Sequence, residues 1–566
     1  MNRPSPALVL QNAARPLPAW VLWLLGGVYV LAGFVGRSPW KGDDADAFAF
    51  MLALARPDTP NSAWWQPQWL GMAPPQDALL PYWLGAWAVQ LAPSDWAWAA
   101  SRLPFMALLG LTMVALWHAV QALARHPNAQ PVALAFGGEA TPGTYSRTLA
   151  DAAVLALLAS LGLARAGHEA AAGVVQMASA SALLYGLAAL PGQRLPSLVA
   201  AALGLLGLTL SGAPSTALLL GLGGLALRAQ PRSWPAEHRI RMLDVGLLAL
   251  ALLTAVLLAG MLDLWRWRLQ PAQWWSAHHL RLLAWFTWPT WPLVLWGLWR
   301  WRRQCWRWVE NPHLSLPLWF MGVTLASAWL TGQDERALLV GLPALAALAA
   351  LALPTLRRSV SALIDWFTLL FFSLCGLVIW VVWLAMQTGW PATTAANVTR
   401  TAPGFEPTLV WAALWPALGA SLGWLLLVRW RAGRHRSALW KSLILPAGGA
   451  VLCWTLLTSL WLPLLDYGRS YGPLVQRIHA MAPNAGCVQV LGLSPGAAVA
   501  LRWHAGWQVR AAAAPQADCN WLVIDREDLA TARLAPGWQE VGIFRRPSDK
   551  REDWVLMRAS EPASNE

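Results

Sequence analysis

Residues 362–386 read ALIDWFTLLFFSLCGLVIWVVWLAM, a run whose one charged residue, Asp365, lies near its start. About 20 apolar residues in a helix are enough to cross the hydrocarbon core of a membrane. Similar runs recur on both sides of this one, so the sequence predicts an all-α polytopic transmembrane bundle of thirteen helices. The predicted spans are 18–36, 102–124, 149–164, 170–190, 197–211, 213–228, 242–264, 281–299, 314–331, 337–355, 362–386, 406–428 and 441–463.

The composition of the whole chain fits this prediction. Of its 566 residues, 57% are hydrophobic and 12% are charged, whereas a soluble globular protein carries about 25% charged residues. The net charge of +13 could suggest nucleic acid. However, the basic residues lie between apolar runs, where membrane topology and anionic headgroups explain them. We therefore expect membrane lipids as partners and no nucleic acid.

The distribution of arginine between the connections predicts the orientation. With a cytoplasmic N-terminus, tight basic clusters fall in the cytoplasmic connections, and the opposite face carries scattered cations. Short loops rich in Lys and Arg stay inside. We therefore expect a multi-pass protein of the bacterial inner membrane, whose odd number of spans leaves the C-terminal segment periplasmic. The clusters contain Arg232, Arg239, Arg241, Arg300, Arg302, Arg303, Arg307, Arg357, Arg358, Arg429, Arg431, Arg434 and Arg436.

Two segments do not resemble spans. Residues 37–101 form a long external loop, in which Leu79 to Leu91 predicts a short helix at the membrane interface. The chain after the last span alternates short β-like runs with Gly/Pro-rich turns, which predicts a small periplasmic α/β domain. We expect a transmembrane domain, 1–463, that includes this loop, and a soluble domain, 464–566. The predicted strands are Cys487–Leu491, Cys519–Ile524, Glu540–Phe544 and Asp553–Met557.

The tail contains two of the five cysteines, Cys487 and Cys519. In an oxidising periplasm they could form a disulfide, which would stabilise a small domain. Two buried free thiols are the equally acceptable alternative.

Three carboxylates, Asp43, Asp44 and Asp46, follow the first helix within four residues. They repel one another and need partners. A carboxylate near low dielectric has a raised pKa and can accept a proton from a hydroxyl group. The simpler interpretation is a solvated loop, or an Asp that caps a helix over Ala45–Leu54.

A second polar group, Arg165 to Glu169, lies in an external turn between two apolar runs. Ionisable groups at such a depth are costly and usually serve a function or pair with each other. Either Arg165 and Glu169 pair on adjacent helical turns, or His168 and Glu169 contact a substrate or relay a proton.

External cations form a third group: Arg266, Arg268, His278, His279 and Arg281, with Arg336 beside Asp334 and Glu335. Guanidinium groups at the membrane edge suit a lipid-linked phosphate, although they could also extend to headgroups. No third ligand at a recognisable spacing accompanies the two histidines, so we predict no metal site from them.

Several short motifs together resemble the bacterial GT-C glycosyltransferases, which include the lipid A aminoarabinose transferases and enzymes similar to protein O-mannosyltransferases. They are the acidic loop after the first helix, Pro81-Tyr82-Trp83-Leu84, Ala100-Ser101-Arg102-Leu103-Pro104, Trp285-Phe286-Thr287-Trp288-Pro289, and Leu460-Trp461-Leu462-Pro463 followed by Asp466-Tyr467-Gly468-Arg469-Ser470-Tyr471. The resemblance covers most of the chain.

This resemblance implies transfer of a sugar from a polyprenyl-phosphate donor to a lipid A, glycan or protein acceptor on the periplasmic face. It implies that Asp44 or Asp43 is the essential loop acid, and that the external cations hold the donor phosphate. We also expect Tyr82, His168 and Glu169 to bind substrate. No cofactor is required by the resemblance, although a divalent metal assists some members.

The sequence departs from the aminoarabinose transferases at three places. Gln76-Asp77-Ala78 stands where those enzymes have Glu-Lys-Pro, Ser211-Gly212 replaces a Lys-Gly pair, and His168-Glu169 falls where they have a second acid. Arg266, Arg268, Arg281 or Arg336 are possible substitutes for the missing lysines. A transporter or flippase, or a non-catalytic binder of lipid-linked glycans, is the alternative function.

Overall fold

The structure, a computed structural model, describes residues 5–57, 59–234, 237–266, 277–332, 334–432, 438–512, 519–531, 537–546 and 552–559. Helices dominate it, and five short strands lie near the C-terminus. The helices are α1 Ala19–Phe34, α2 Asp43–Leu54, α3 Leu80–Gln90, α4 Ala97–Ala124, α5 Pro142–Ala159, α6 Leu161–Ala166, α7 Ala172–Ala189, α8 Arg194–Leu210, α9 Pro214–Ala229, α10 His238–Met261, α11 Ala277–Phe286, α12 Thr290–Cys305, α13 Pro312–Thr331, α14 Asp334–Ala352, α15 Arg358–Thr388, α16 Ala392–Thr401, α17 Trp411–Ala432, α18 Lys441–Leu460, α19 Leu462–Arg469, α20 Gly472–Met481, α21 Pro495–Ala505 and α22 Arg526–Leu529.

The predicted polytopic helical fold is confirmed, and each predicted span overlaps a helix. Within the described ranges, eight helices are long and apolar enough to cross a membrane, and α1, α8 and α9 are shorter apolar helices. The helix predicted over Leu79–Leu91 is α3, and its position at the membrane interface stays a prediction.

Two predicted spans are interrupted, and their breaks face each other. The span 149–164 breaks at Ser160, between α5 and α6, and the span 281–299 breaks between α11 and α12. Leu161 N donates to Trp288 O at 3.0 Å, and the hydroxyl oxygens of Ser160 and Thr290 are 3.3 Å apart. The bond from Leu161 N thus satisfies one backbone N–H and one backbone carbonyl group at the two breaks, as is required inside a membrane.

The chain packs as two units. The first contains Met1–Phe34, Phe105–Val378 and Leu414–Leu456, and the second contains Val35–Pro104, Ile379–Ala413 and Leu457–Glu566. The loop 37–101, predicted to be external, therefore packs in the same unit as the tail. The proposed domain boundary at 463/464 stays a prediction.

One apolar core cluster of the first unit is built from α4, α7, α8, α9, α10, α13 and α14. Helices α7 and α8 approach closely because both present glycine at their contact. A Cβ on Gly186 would lie 2.5 Å from Ser197 O, and one on Gly204 would lie 2.6 Å from Ser179 O. Small residues allow this backbone approach between membrane helices.

The second unit contains the α/β domain predicted from the tail. Its strands are β1 Cys487–Leu491, β2 Gln508–Ala511, β3 Trp521–Asp525, β4 Trp538–Arg545 and β5 Asp553–Ala559. They form one sheet of order β2-β1-β3-β5-β4, in which β1 is parallel to β2 and β3, and β5 is antiparallel to β3 and β4. The four predicted strands are present. Cys487 and Cys519 form a disulfide, one of the two alternatives left open by the sequence.

Candidate active site

Asp44 is the centre of a buried charge cluster in the second unit. Its Oδ2 atom lies 2.7 Å from Arg37 Nη2 and 3.0 Å from Arg102 Nη2, and the three side chains are 1% exposed. Trp40 N also donates to it at 3.4 Å. The guanidinium groups stack on indole rings, Arg37 on Trp40 at 4.3 Å and Arg102 on Trp98 at 4.1 Å. The two guanidinium groups and the Trp40 N–H group thus fix the position of the buried carboxylate.

Asp43 and Asp44 occupy the first turn of α2, where the helix dipole favours negative charge. The N-cap residue is Gly42, at φ 101°, so neither acid caps the helix through its side chain. Asp43 is half-buried. Its Oδ2 atom accepts a hydrogen bond from Gln76 Nε2 at 2.8 Å. Asp43 is therefore the more accessible of the two carboxylates.

Two further acids lie close to this segment. Asp46 Oδ1 accepts from Gly496 N at 2.7 Å. Asp466 in α19 accepts from Trp40 Nε1 at 2.6 Å and from Ser38 N at 3.1 Å. Burial raises the pKa of both carboxyl groups, and the nearby charge of Asp43 adds to the increase for Asp46.

Tyr82, predicted to bind substrate, is 3% exposed on α3. Its ring packs against Phe50 of α2 with centroids 5.4 Å apart. It therefore supports the acid-bearing helix in this structure, and its contact with substrate stays a prediction.

His168 is fully buried in the first unit. Its Nδ1 atom is 2.6 Å from Ala164 O, and its Nε2 atom is 2.9 Å from Tyr29 O. The rings of Tyr29, Phe34 and Trp454 surround it at 5.0–5.1 Å between centroids. Because both ring nitrogens contact backbone carbonyl groups, His168 joins helices in this structure, and its proposed role with a substrate has no support from these contacts.

The other predicted substrate-binding residues also lie in the first unit. Glu169 pairs with Arg165 at 3.2 Å across one helical turn, which is the simpler of its two interpretations. Arg266 is half-exposed and pairs with Asp263 at 3.3 Å. Arg281 is exposed, and the half-buried Arg336 packs its Cγ atom near Gly173. Arg268 lies outside the described residues.

No group of three His, Cys, Asp or Glu side chains in the described ranges could hold a metal ion. The acids of the second unit instead have arginine, indole and backbone N–H partners. The arrangement therefore offers no ligand set for the divalent metal that the resemblance allows.

Sequence reasoning missed Arg37, Arg102 and Asp466 as members of the cluster. Arg102 and Asp466 both lie in motifs that carry the resemblance, and Arg37 directly follows the first helix. A signal was available, because three adjacent acids require cationic or N–H partners. The sequence pattern alone does not show which arginine is the partner of which acid.

The sequence matches no protein-family model. It also matches no curated protein. Two solved structures share its fold, both of ArnT from Cupriavidus metallidurans. The apo structure superimposes with a TM-score of 0.58 at 16% identity, and it covers 95% of this chain and 98% of ArnT. The chain has the ArnT fold.

The second ArnT structure, bound to undecaprenyl phosphate, gives a TM-score of 0.56 at 15% identity with the same coverage. Because nearly the whole of both chains is covered, the ArnT fold includes helical bundle and tail alike. The polytopic architecture and the small sheet domain are thus properties of the ArnT fold.

Proposed function

We propose that this protein is a membrane glycosyltransferase, which transfers a sugar from a polyprenyl-phosphate donor to a hydroxyl group of a lipid, glycan or protein. The reaction takes place at the periplasmic face of a bacterial inner membrane. The observation that carries this proposal is the fold shared with ArnT, a lipid A aminoarabinose transferase. A structure of ArnT is bound to undecaprenyl phosphate, which supports the same class of donor here.

Asp43 and Asp44 are the proposed essential carboxylates, in different roles. Asp44 is buried between Arg37 and Arg102, where an acceptor hydroxyl group does not reach it from solvent. Asp43 is partly exposed beside the neutral amide of Gln76. We therefore assign proton acceptance to Asp43, whereas Asp44 fixes the first turn of α2.

In the proposed reaction, the acceptor hydroxyl group loses its proton to the Asp43 carboxylate. Its oxygen attacks the anomeric carbon, and the bond from that carbon to the phosphate oxygen breaks. The polyprenyl phosphate leaves with the bonding electrons, so one displacement inverts the anomeric centre. Arg266, Arg268, Arg281 and Arg336 are the candidate phosphate ligands, since fixed cations stabilise charge on a leaving phosphate.

The test measures transfer of radiolabelled sugar from a panel of polyprenyl-phosphate sugars by purified protein in detergent and lipid. Asp43→Asn should lower the rate by about 100-fold or more, the usual contribution of a general base. Asp95→Asn is a matched control, because Asp95 is an exposed acid of the same external loop. Asp44→Asn should also abolish transfer, with a loss of stability that Asp43→Asn does not show.

Binding of a donor without transfer or donor hydrolysis in the wild type would instead favour a transporter or a non-catalytic binder. Full activity of Asp43→Asn with an inactive, stably folded Asp44→Asn would reverse the two assigned roles.

A further inference from the structure

The tail domain contacts the acid-bearing segment on both sides of Asp43 and Asp44. Before the acids, Trp40 pairs with Ser470 in an isolated antiparallel bridge, and Lys41 N donates to Arg469 O at 3.0 Å. After the acids, Asp46 accepts from Gly496 N in the first turn of α21. Asp43 and Asp44 therefore lie between two attachments to the C-terminal part of the chain.

We propose that Asp46 and Gly496 are positioning residues, through which helix α21 of the tail holds Asp43 in its reactive place. This inference rests on the proposed function. It gives the tail a part in the reaction itself, beyond covering or stabilising the external loop.

The attachment at Asp46 has a specific geometry. Helix α21 begins after Ser494, whose hydroxyl group accepts from Ala497 N at 3.2 Å, so Gly496 N needs another acceptor. The Asp46 carboxylate supplies it at 2.7 Å. The positive end of the α21 dipole favours the negative charge. Two residues further along α2, the ring of Phe48 meets Trp503 of α21 edge-on, with ring centroids 5.4 Å apart.

Gly496 is a point of close approach between the two helices. A Cβ atom at this position would lie 2.7 Å from Ala45 Cβ, 2.8 Å from Asp46 Oδ1 and 2.9 Å from the backbone carbon of Ala45. Such contacts are too short, so any side chain at 496 must displace the first turn of α2. That turn carries Asp43.

A third contact strengthens the attachment before the acids. Lys41 Nζ lies 2.5 Å from Glu552 Oε2, beside the first residue of β5. Tyr471 OH lies 3.4 Å from the other oxygen of Glu552. The tail therefore fixes both ends of the segment that presents the acids.

The test compares Gly496→Ala, Asp46→Ala and Asp46→Asn in the full-length protein. Gly486→Ala is the matched control, because a Cβ at Gly486 meets nothing within 4 Å. Displacing a catalytic group by about 1 Å can cost about 100-fold in rate, so Gly496→Ala and Asp46→Ala should lose kcat by that order with little change in the KM for donor. Asp46→Asn, whose amide oxygen still accepts from Gly496 N, should retain most of the rate, as should Gly486→Ala.

Hydrogen exchange over α2 is the second measurement, and it needs no turnover. The rate of amide hydrogen exchange over residues 43–54 should rise in Gly496→Ala and Asp46→Ala but not in the Gly486→Ala control. Replacing Ala45 by Gly in the Gly496→Ala variant should restore part of the lost kcat and lower part of the increase in hydrogen exchange. Unchanged exchange and unchanged kcat in Gly496→Ala would overturn the positioning role, whereas a wild type that transfers no sugar yet shows the expected exchange would overturn the proposed function alone.

Discussion

Asp44 and Arg102 are 58 positions apart in the chain, yet Asp44 Oδ2 lies 3.0 Å from Arg102 Nη2, and both side chains are 1% exposed. Arg37 Nη2 reaches the same oxygen atom from seven positions away. One oxygen atom therefore joins the end of the first predicted span, the first turn of α2 and the start of α4. The role of Asp44 in folding follows from this shared contact.

We expect Arg102→Met and Asp44→Asn each to destabilise the protein by about 3–5 kcal/mol, because breaking a buried ion pair leaves an uncompensated charge. The double variant should lose less than the sum of the two. Thermal unfolding in detergent measures the loss of stability in the two single variants and the double variant. Arg232→Met is a control at an exposed position. Additive losses would show that the two side chains are not coupled.

Gln76 gives Asp43 an uncharged hydrogen-bond donor at 2.8 Å, and replacing it with an acid tests the role of Asp43. Gln76→Glu would place a second carboxylate in hydrogen-bond contact with Asp43, and two such carboxylates share a proton, which raises the pKa of the pair. Transfer should therefore fall at neutral pH and recover as the pH rises. A pH–rate profile tests this, with Gln68→Glu, an exposed glutamine of the same loop, as the control. Profiles that coincide for the two variants would argue against Asp43 as the base.

The fold was largely predictable because hydropathy and span length are local properties of the sequence. The helix over 362–386 follows directly from its apolar run, and the strand at Cys487–Leu491 follows from its composition. Strand β2 was missed because its four residues, Gln508–Ala511, form a short, partly exposed edge without a strong pattern. The break at Ser160 was missed because its compensating bonds come from Trp288 and Thr290, far along the chain.

The candidate site was predictable only in part, for the same reason. The acids Asp43, Asp44 and Asp46 stand out by their spacing, but their partners Arg102 and Gly496 are brought to them by packing. His168 shows the reverse dependence on tertiary contacts. A polar residue in an external turn suggests a site, but whether its nitrogens face solvent or backbone carbonyl groups depends on the tertiary contacts.

His168→Ala should lower stability by about 1–3 kcal/mol, the cost of losing buried hydrogen bonds, and leave the KM for donor unchanged. Glu169→Gln is the comparison at the next position, where the partly exposed ion pair with Arg165 is worth about 0–1 kcal/mol. Unfolding temperatures and donor KM values are the measurements. A rise in KM without destabilisation would restore His168 as a substrate-binding residue.

The Cys487–Cys519 disulfide should form in the periplasm and stabilise the tail. Replacing both cysteines with serine should cost roughly 2–4 kcal/mol, as expected for closing a loop of this length. Thiol alkylation of membranes, with and without prior reduction, detects the bond on a gel. Cys305, which is free in the structure, should react without reduction. Alkylation of both tail cysteines without reductant would contradict both the disulfide and the periplasmic location.

Asp466 should make the stability of the protein depend on pH in a definite direction. Burial raises the pKa of its carboxyl group in the folded state, so the folded state binds this proton more tightly than the unfolded state does. The corresponding stabilisation is complete at a pH below the pKa that this carboxyl group has in the unfolded state. It is lost as the pH rises through the pKa that the group has in the folded state. Asp466→Asn cannot ionise, so its stability relative to the wild type should increase as the pH rises above about 4, the ordinary pKa of an Asp carboxyl group. The difference in unfolding temperature between the wild type and Asp466→Asn should narrow or reverse as the pH rises. For the exposed Asp95→Asn variant it should stay constant, and a constant difference for both variants would show that the Asp466 carboxylate is buried without an energetic consequence.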